Sequence, residues 1–290
     1  MQKRTLGNSG LEVSANGEVE RMKGIGIRVV VTLIVSLVSF TGNLSAQTNM
    51  NNRGLNAKEQ SIVTISAFTA KGDLERLRKA LNKGLDAGLT VNEIKEVLVQ
   101  LYAYCGFPRS LNAINTLMSV LEDRKKSGIT DVEGKTATPI TGAADKYERG
   151  RKTLEALTGQ PQPRPAKGFG EFSPTIDRFL KEHLFADVFD SDVLNYRQRE
   201  LVTVSALAAM PGVEPQLESH LSMGMNTGLT ESQLNQVFDL IEKEIGRQQA
   251  ETARKLLAKV TAGKKSSSRH SANGSSKIDT TSNQGLWRKL

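Results

Sequence analysis

The sequence predicts an all-α protein made of two tandem helical repeats. Apolar residues recur at intervals of three and four along most of the chain, as in helices, and no segment shows the alternation typical of a strand. The segment "LNAKEQSIVTISAFTA", which begins at Leu55, recurs as "LNYRQRELVTVSALAA" from Leu194, and "GLDAGLTVNEI" from Gly84 recurs as "GMNTGLTESQL" from Gly224. Two copies of one helical unit are therefore expected.

Each repeat is expected to contain a helix, a short break, a second helix, a Gly-Leu-Thr turn and a long helix. Thr90 precedes Glu93 by three residues, and Thr230 precedes Gln233 by three, which is the spacing of a capping box at a helix start. The predicted segments are an N-terminal extension with a signal peptide at 1–46, a first repeat at 47–127, a linker with one helix at 128–173, a second repeat at 174–262 and a disordered basic tail at 263–290.

The N-terminal extension has the pattern of a secretory signal peptide. Lys23 and Arg28 precede an apolar run of about a dozen residues, and small residues then lead up to Ala46. Because this run is shorter than a transmembrane helix requires, an uncleaved membrane anchor is the less favoured alternative. We expect translation to start at Met22, cleavage after Ala46, and a periplasmic or secreted protein that has no membrane contact afterwards.

Charge and cysteine content exclude several classes of protein. The formal net charge is +8, but the tail has six Lys/Arg and one Asp, and 1–46 has five Lys/Arg and three Glu. The body of the protein is therefore nearly neutral, and we expect no nucleic-acid partner. The single cysteine, Cys105, excludes an internal disulfide and a cysteine-rich zinc site, and three histidines give poor support for a histidine-based metal site, so no metal is expected.

Several motifs together resemble the carboxymuconolactone decarboxylase family, which shares the fold of the alkyl hydroperoxidase D proteins. The second repeat has Arg-Glu-Leu at a helix start and Ser-His on the next helix, "YERGRKTLEAL" lies upstream, and the first repeat ends in "YCGFPRSLNA" with Cys105 where the family has Ala. The likeness spans roughly residues 55–122 and 145–259. It implies an all-α fold of two family-like repeats, a small-molecule substrate, no cofactor, and a homo-oligomer.

Glu200 and His220 are the candidate catalytic residues. A glutamate near a helix start and a histidine on the following helix can meet where the two helices pack, and the carboxylate then sets the tautomer of the imidazole. Their positions match the glutamate and histidine of the alkyl hydroperoxidase D site, but no cysteine lies between them here. In the alternative interpretation, Glu200 only caps its helix and His220 is an ordinary half-buried residue.

Four further residues are candidate contacts for a substrate. Arg197 and Arg199 are expected to bind substrate carboxylates, because guanidinium groups form paired hydrogen bonds with them. Cys105 and Phe107 could line a pocket at the Gly-Phe-Pro break, although an unpaired cysteine on an apolar stripe is most often a packing residue. The first repeat has Ser61 and Ala80 in place of the glutamate and histidine, so a complete site is expected to use both repeats or two subunits.

The resemblance implies a carboxy-lyase: cofactor-free decarboxylation, or a related proton transfer, on a small carboxylated lactone-like substrate. A second interpretation is a thiol-dependent hydroperoxidase of the peroxiredoxin type, in which Cys105 works with an external thiol. A third is a non-catalytic binding or assembly module, which the division of motifs between the repeats favours.

Overall fold

The computed structural model describes residues 4–5, 12–13, 54–141 and 145–272. The chain divides into two compact units, 1–53 and 54–290. In the first unit, strands β1 (Arg4–Thr5) and β2 (Glu12–Val13) pair antiparallel, with Arg4 opposite Val13. The predicted signal segment, 22–46, lies outside the described residues.

The second unit is helical, which confirms the all-α prediction. Its regular elements within the described ranges are helices. The first repeat consists of α1 (Ala57–Lys71), α2 (Leu74–Asp86), α3 (Val91–Cys105) and α4 (Phe107–Lys126). The second consists of α8 (Tyr196–Ala209), α9 (Glu214–Asn226), α10 (Glu231–Glu244) and α11 (Arg247–Ala272). Between α4 and α8 lie α5 (Lys146–Thr158), α6 (Phe169–Phe172), α7 (Pro174–Arg178) and a π-helix (Phe179–Val188).

The starts of corresponding helices in the two repeats are stabilised in the same way. Capping boxes begin α3 at Thr90 and α10 at Thr230, as the sequence predicts, and further boxes begin α1 at Asn56 and α8 at Asn195. Each box satisfies backbone N–H groups that have no partner within the helix. The local sequence therefore fixes where four of the helices begin.

The break between α3 and α4 is a single glycine. Gly106 has a φ of +84°, which a side chain would disfavour, and α4 begins directly after it with Pro108 in its first turn. Gly246 stands at the corresponding place between α10 and α11. A tight break between two long helices is therefore present in both repeats.

The two repeats share one hydrophobic core. Helix α1 packs on α8, and their fully buried apolar side chains include Ile62, Ile65, Leu201 and Val204. The backbone N–H of Leu55 donates to Gln236 Oε1 of α10 at 2.7 Å, which ties the start of the first repeat to the second. The repeats therefore form one packed body.

Part of the predicted linker, 128–173, is held in place by hydrogen bonds to the rest of the protein. Backbone N–H groups of Val91 and Asn92, at the start of α3, donate to the carbonyl oxygens of Val132 and Glu133. Asp192, just before α8, accepts hydrogen bonds from the backbone and hydroxyl groups of Thr138. The segment 131–138 is therefore held between the two repeats.

Two features differ from the predicted segments. The helix α11 continues to Ala272, past the predicted start of the disordered tail at 263. The helix that starts at Pro174, the first residue of the predicted second repeat, is regular only to Arg178 and then widens into the π-helix. In the part of the chain that the structure describes, no helix is long and apolar enough to cross a membrane.

Candidate functional site

Glu200 and His220 form a buried hydrogen-bonded pair. Glu200 lies in the first turns of α8 and His220 lies on α9, and Glu200 Oε2 is 2.8 Å from His220 Nδ1. Glu200 is fully buried and His220 is 4% exposed. Because an ionised carboxylate can only accept, we assign the proton of this hydrogen bond to Nδ1, which leaves Nε2 free to accept or donate a proton in chemistry.

Close packing of α8 and α9 brings the pair together. Gly224, one turn beyond His220, has no side chain, and a Cβ atom there would lie 3.8 Å from Glu200 Cβ and 3.0 Å from Leu229 Cδ1. The corresponding Gly84 faces Ser61 and Leu89 in the same manner. The first repeat therefore keeps the backbone of this junction although it lacks the acid and the base.

The first repeat contributes Tyr104 to the surroundings of His220. The Tyr104 ring meets the His220 ring edge-on, with centroids 5.4 Å apart and an interplanar angle of 80°. Burial raises the pKa of Tyr104 well above its usual value, and the Glu200 charge adds to that effect. The prediction that a complete site would draw on both repeats is consistent with this contact.

Arg199 has a structural role that differs from the predicted substrate clamp. It is fully buried, and its guanidinium donates to Gln100 Oε1 at 3.0 Å, Glu96 Oε2 at 2.9 Å and the carbonyl oxygen of Ser191 at 2.7 Å. Burial lowers the pKa of Arg199 and the Glu96 carboxylate opposes this. The guanidinium joins α8 to α3, and these protein groups occupy most of its hydrogen-bonding capacity.

Arg197 also binds a carboxylate of the other repeat. Its guanidinium pairs with Glu59, which belongs to the capping box of α1. The side chain of Arg197 is 25% exposed, so its charge is partly accessible. Both predicted clamp residues thus connect the repeats to each other.

Cys105 and Phe107 have surroundings that differ from those of the Glu200–His220 pair. The half-buried thiol of Cys105 donates to the carbonyl oxygen of Leu101 at 3.1 Å, and burial raises its pKa to about 11 while nearby Arg109 opposes that rise. The Phe107 ring is 61% exposed and stacks on Tyr102 with centroids 4.5 Å apart. The structure therefore favours a packing role for the thiol.

The described residues include no group of three or more His, Cys, Asp or Glu side chains that could hold a metal ion. A cavity of about 220 Å³ lies between α8, α9 and α11, and its lining includes neither Glu200 nor His220. The candidate site is therefore the Glu200–His220 pair with the contacting Tyr104 ring, and this cavity is separate from it.

A comparison with protein-family models gives a match over both repeats. The carboxymuconolactone decarboxylase family model matches residues 40–117 and 174–259, which together are more than half of the chain. The chain belongs to the carboxymuconolactone decarboxylase family. The resemblance seen in the sequence is thereby confirmed, and membership supports a decarboxylase-like or alkyl hydroperoxidase D-like protein.

Two curated relatives are similar to parts of this family member. An uncharacterized 15.0 kDa protein of the nqo9–nqo10 intergenic region of Paracoccus denitrificans is 36% identical over 72 residues, which cover 24% of this chain and 54% of that protein. An uncharacterized protein of Methanocaldococcus jannaschii is 26% identical over 74 residues, which cover 26% of this chain and 69% of that protein. The chain thus spans about half of the Paracoccus relative.

Sequence reasoning did not include Tyr104 and Gln100 among the site residues. Tyr104 has the spacing of a core residue, so its contact with His220 follows only from the packing of α3 against the second repeat. Gln100 carried a usable signal, because it is a polar residue within the apolar stripe of α3 and is fully buried. In this member of the carboxymuconolactone decarboxylase family, a buried polar side chain therefore marked the junction of the repeats.

Proposed function

We propose that the protein is a cofactor-free acid/base catalyst that transfers a proton on a small molecule, with Glu200 and His220 as the reactive pair. The observation that carries this proposal is the 2.8 Å hydrogen bond between Glu200 Oε2 and His220 Nδ1 in a buried setting. A buried carboxylate that orients an imidazole is the usual arrangement for a histidine general acid or base.

The proton transfer follows from the tautomer of His220. Neutral Nε2 would take a proton from a carbon next to a carbonyl group, the C–H electron pair would move into an enolate, and Glu200 would stabilise the imidazolium that forms. The same Nε2 would return the proton to complete the turnover. In a lactone decarboxylation, the carbon–carbon bond to CO2 would break instead, and protonated His220 would then deliver its proton to the enolate carbon.

The finer proposal is a decarboxylase-like reaction on a carboxylated lactone, and family membership is its support. We also propose export of the protein and a homo-oligomeric assembly, as the sequence predicts. Cys105 gives little support for the thiol-dependent alternative, since a thiol with a pKa of about 11 is almost entirely protonated at neutral pH.

A panel of lactones, muconates and simple ketones tests the proposal. Release of CO2 would report decarboxylation, and exchange of α-protons in D2O, followed by NMR, would report proton transfer. We expect turnover of at least one compound by the full chain, and a loss of about a hundredfold or more in Glu200→Gln and His220→Ala.

The chain offers a matched control. His183 also pairs with a carboxylate, with its Nδ1 3.2 Å from Asp187 Oδ2, but it is about half exposed on the π-helix. His183→Ala should retain turnover. Undiminished turnover in Glu200→Gln or His220→Ala would contradict the assignment of the pair, and inactivity of the unmodified protein on the whole panel would favour a binding or assembly module.

A further inference from the structure

The cavity of about 220 Å³ between α8, α9 and α11 has a lining that runs from the core to the surface. Its apolar lining residues are Leu207, Ala208, Met210, Pro211 and Leu217, of which the two leucines and the alanine are buried and the proline is exposed. An apolar cavity of about 150 Å³, engineered into another protein, binds benzene. The space here is therefore large enough for a small apolar group such as one aromatic ring.

Two lining positions differ between the repeats. Leu207 of α8 corresponds to Phe68 of α1, and Glu214 at the start of α9 corresponds to Leu74 at the start of α2. Leu207 and Phe68 are both buried, but leucine has the smaller side chain. The second repeat therefore has less bulk at one lining position than the first, and it has a carboxylate at another lining position where the first has an apolar side chain.

Among the residues that line the cavity, only Glu214 carries a charge. Its Oε1 accepts a hydrogen bond from the backbone N–H of Gly212 at 3.2 Å, and within 54–141 and 145–272 the carboxylate forms no ion pair. Arg109 contacts Met210 Sδ at 3.8 Å, but it does not line the cavity, and its exposure to solvent screens its charge. The cavity thus combines an apolar wall with one uncompensated negative charge.

The other polar lining residues are neutral, namely Gln248, Gln249 and Thr252 of α11. The Thr252 hydroxyl donates to the carbonyl oxygen of Gln248 at 3.0 Å, within its own helix. A protonated amine has several N–H donors and a positive charge, so a carboxylate and neutral amide oxygens suit it. An anionic ligand would be repelled by Glu214.

We propose that this cavity binds a small protonated amine, whose apolar body packs against Leu207 and Leu217 and whose ammonium group pairs with Glu214. Binding sites for small molecules commonly have this composition, an apolar pocket with a few polar groups that orient the ligand. The inference goes beyond the proposed function, because neither Glu200 nor His220 lines the cavity.

Three probes of similar shape and different charge test the inference. Benzylamine is positive at pH 7, benzyl alcohol is neutral and benzoate is negative. Each is titrated into the full-length protein while the methyl resonance of Met210, a lining residue, is followed by NMR. We expect benzylamine to bind with a Kd about threefold to fivefold lower than that of benzyl alcohol, the usual effect of one partly exposed ion pair, and benzoate to bind more weakly than either.

A pair of variants on α9 tests the role of the charge. Glu214→Gln should remove the preference for benzylamine and leave the Kd of benzyl alcohol unchanged. Glu218→Gln is the matched control, because Glu218 lies one turn further along the same helix, pairs with Lys259 Nζ at 2.9 Å and does not line the cavity. The control should keep the preference of the unmodified protein.

Two further variants test the place of binding by filling the cavity. Leu207→Phe introduces the residue that the first repeat has at this position, and Thr252→Phe adds bulk from the half-buried α11 side. Circular dichroism identifies which of them folds. We expect a folded filling variant to bind benzylamine and benzyl alcohol at least about tenfold more weakly, because the aromatic ring of the ligand loses its place.

The outcomes either support or overturn the inference without any measurement of turnover. No shift of Met210 with benzylamine, equal Kd values for benzylamine and benzyl alcohol, tightest binding of benzoate, or a preference that survives Glu214→Gln would each overturn it. Unchanged binding in a folded filling variant would do the same. A preference for benzylamine that Glu214→Gln abolishes and Glu218→Gln preserves would support it, whatever the compound panel shows about the Glu200–His220 pair.

Discussion

Gln100 of the first repeat and Arg199 of the second each donate a hydrogen bond to the other. Arg199 Nη1 donates to Gln100 Oε1 at 3.0 Å, and Gln100 Nε2 donates to the carbonyl oxygen of Arg199 at 2.8 Å. Both residues are fully buried. Because buried polar groups are costly when unpaired, this exchange specifies one way for α3 to pack against α8.

Arg199→Leu should therefore lower the free energy of unfolding by about 3 kcal/mol. The substitution leaves Gln100 Oε1 and the carbonyl oxygen of Ser191 without this donor, and loss of one partner of a buried pair is strongly destabilising. Urea denaturation followed by circular dichroism measures the change. Arg254→Leu is the matched control, because Arg254 pairs with Asp239 and Glu242 near the surface and should change stability by less than about 1 kcal/mol. Equal effects of the two substitutions would contradict the role given to Arg199.

Gly150→Ala should destabilise the packing of α5 on the π-helix. A Cβ atom at Gly150 would overlap the carbonyl oxygen of Lys181, and backbone atoms cannot move aside as a flexible side chain can. We expect a loss of about 3 kcal/mol by the same denaturation measurement. Gly263→Ala, at an exposed position of α11 with no atom within 4 Å of the added methyl group, should be neutral or stabilise by about 0.5–1 kcal/mol. A tolerated Gly150→Ala would show that the two helices are not in close contact.

Cys105 should react slowly with iodoacetamide in the folded protein. Its pKa is raised to about 11 from a usual value near 9, so at pH 8 the thiolate fraction is roughly a hundredfold lower than in the unfolded chain. The rate, measured by mass spectrometry, should increase about tenfold per pH unit up to pH 10.

The same shift has a consequence for stability and for the alternative function. The folded protein holds the Cys105 proton more tightly than the unfolded chain does. The resulting contribution of the thiol to the free energy of unfolding is fully present below pH 9 and is lost as the pH rises through about 11. Fast alkylation at pH 7 would contradict the assigned pKa and would revive the interpretation of Cys105 as a peroxide-reducing thiol.

The sequence predicted features that depend on local residues. The capping boxes at Thr90 and Thr230, the break at Gly106 and the repeat itself are local patterns, and the structure contains each of them. The Glu200–His220 pair could also be predicted from the sequence, because the two residues lie on consecutive helices whose positions the family motifs indicate.

Other features depend on packing and could not be predicted in this way. Gln100 and Arg199 are separated by 99 residues, so nothing local to either one identifies its partner. The π-helix 179–188 changes the helical period a few residues after the start of the predicted second repeat at 174, and no residue pattern in that segment indicates the change. The end of α11 at Ala272 was missed because Lys and Ser are abundant beyond 262, a composition that indicates disorder.

The division of His220 and Tyr104 between two repeats has a consequence for how the protein is made. Because the two contacting residues are synthesised on one chain, they are always produced in a one-to-one ratio. A tether also gives each half a local concentration of the other that is independent of expression level. The sequences of the two repeats can therefore diverge, because each repeat packs against the other repeat of its own chain and does not need to pair with a second copy of itself.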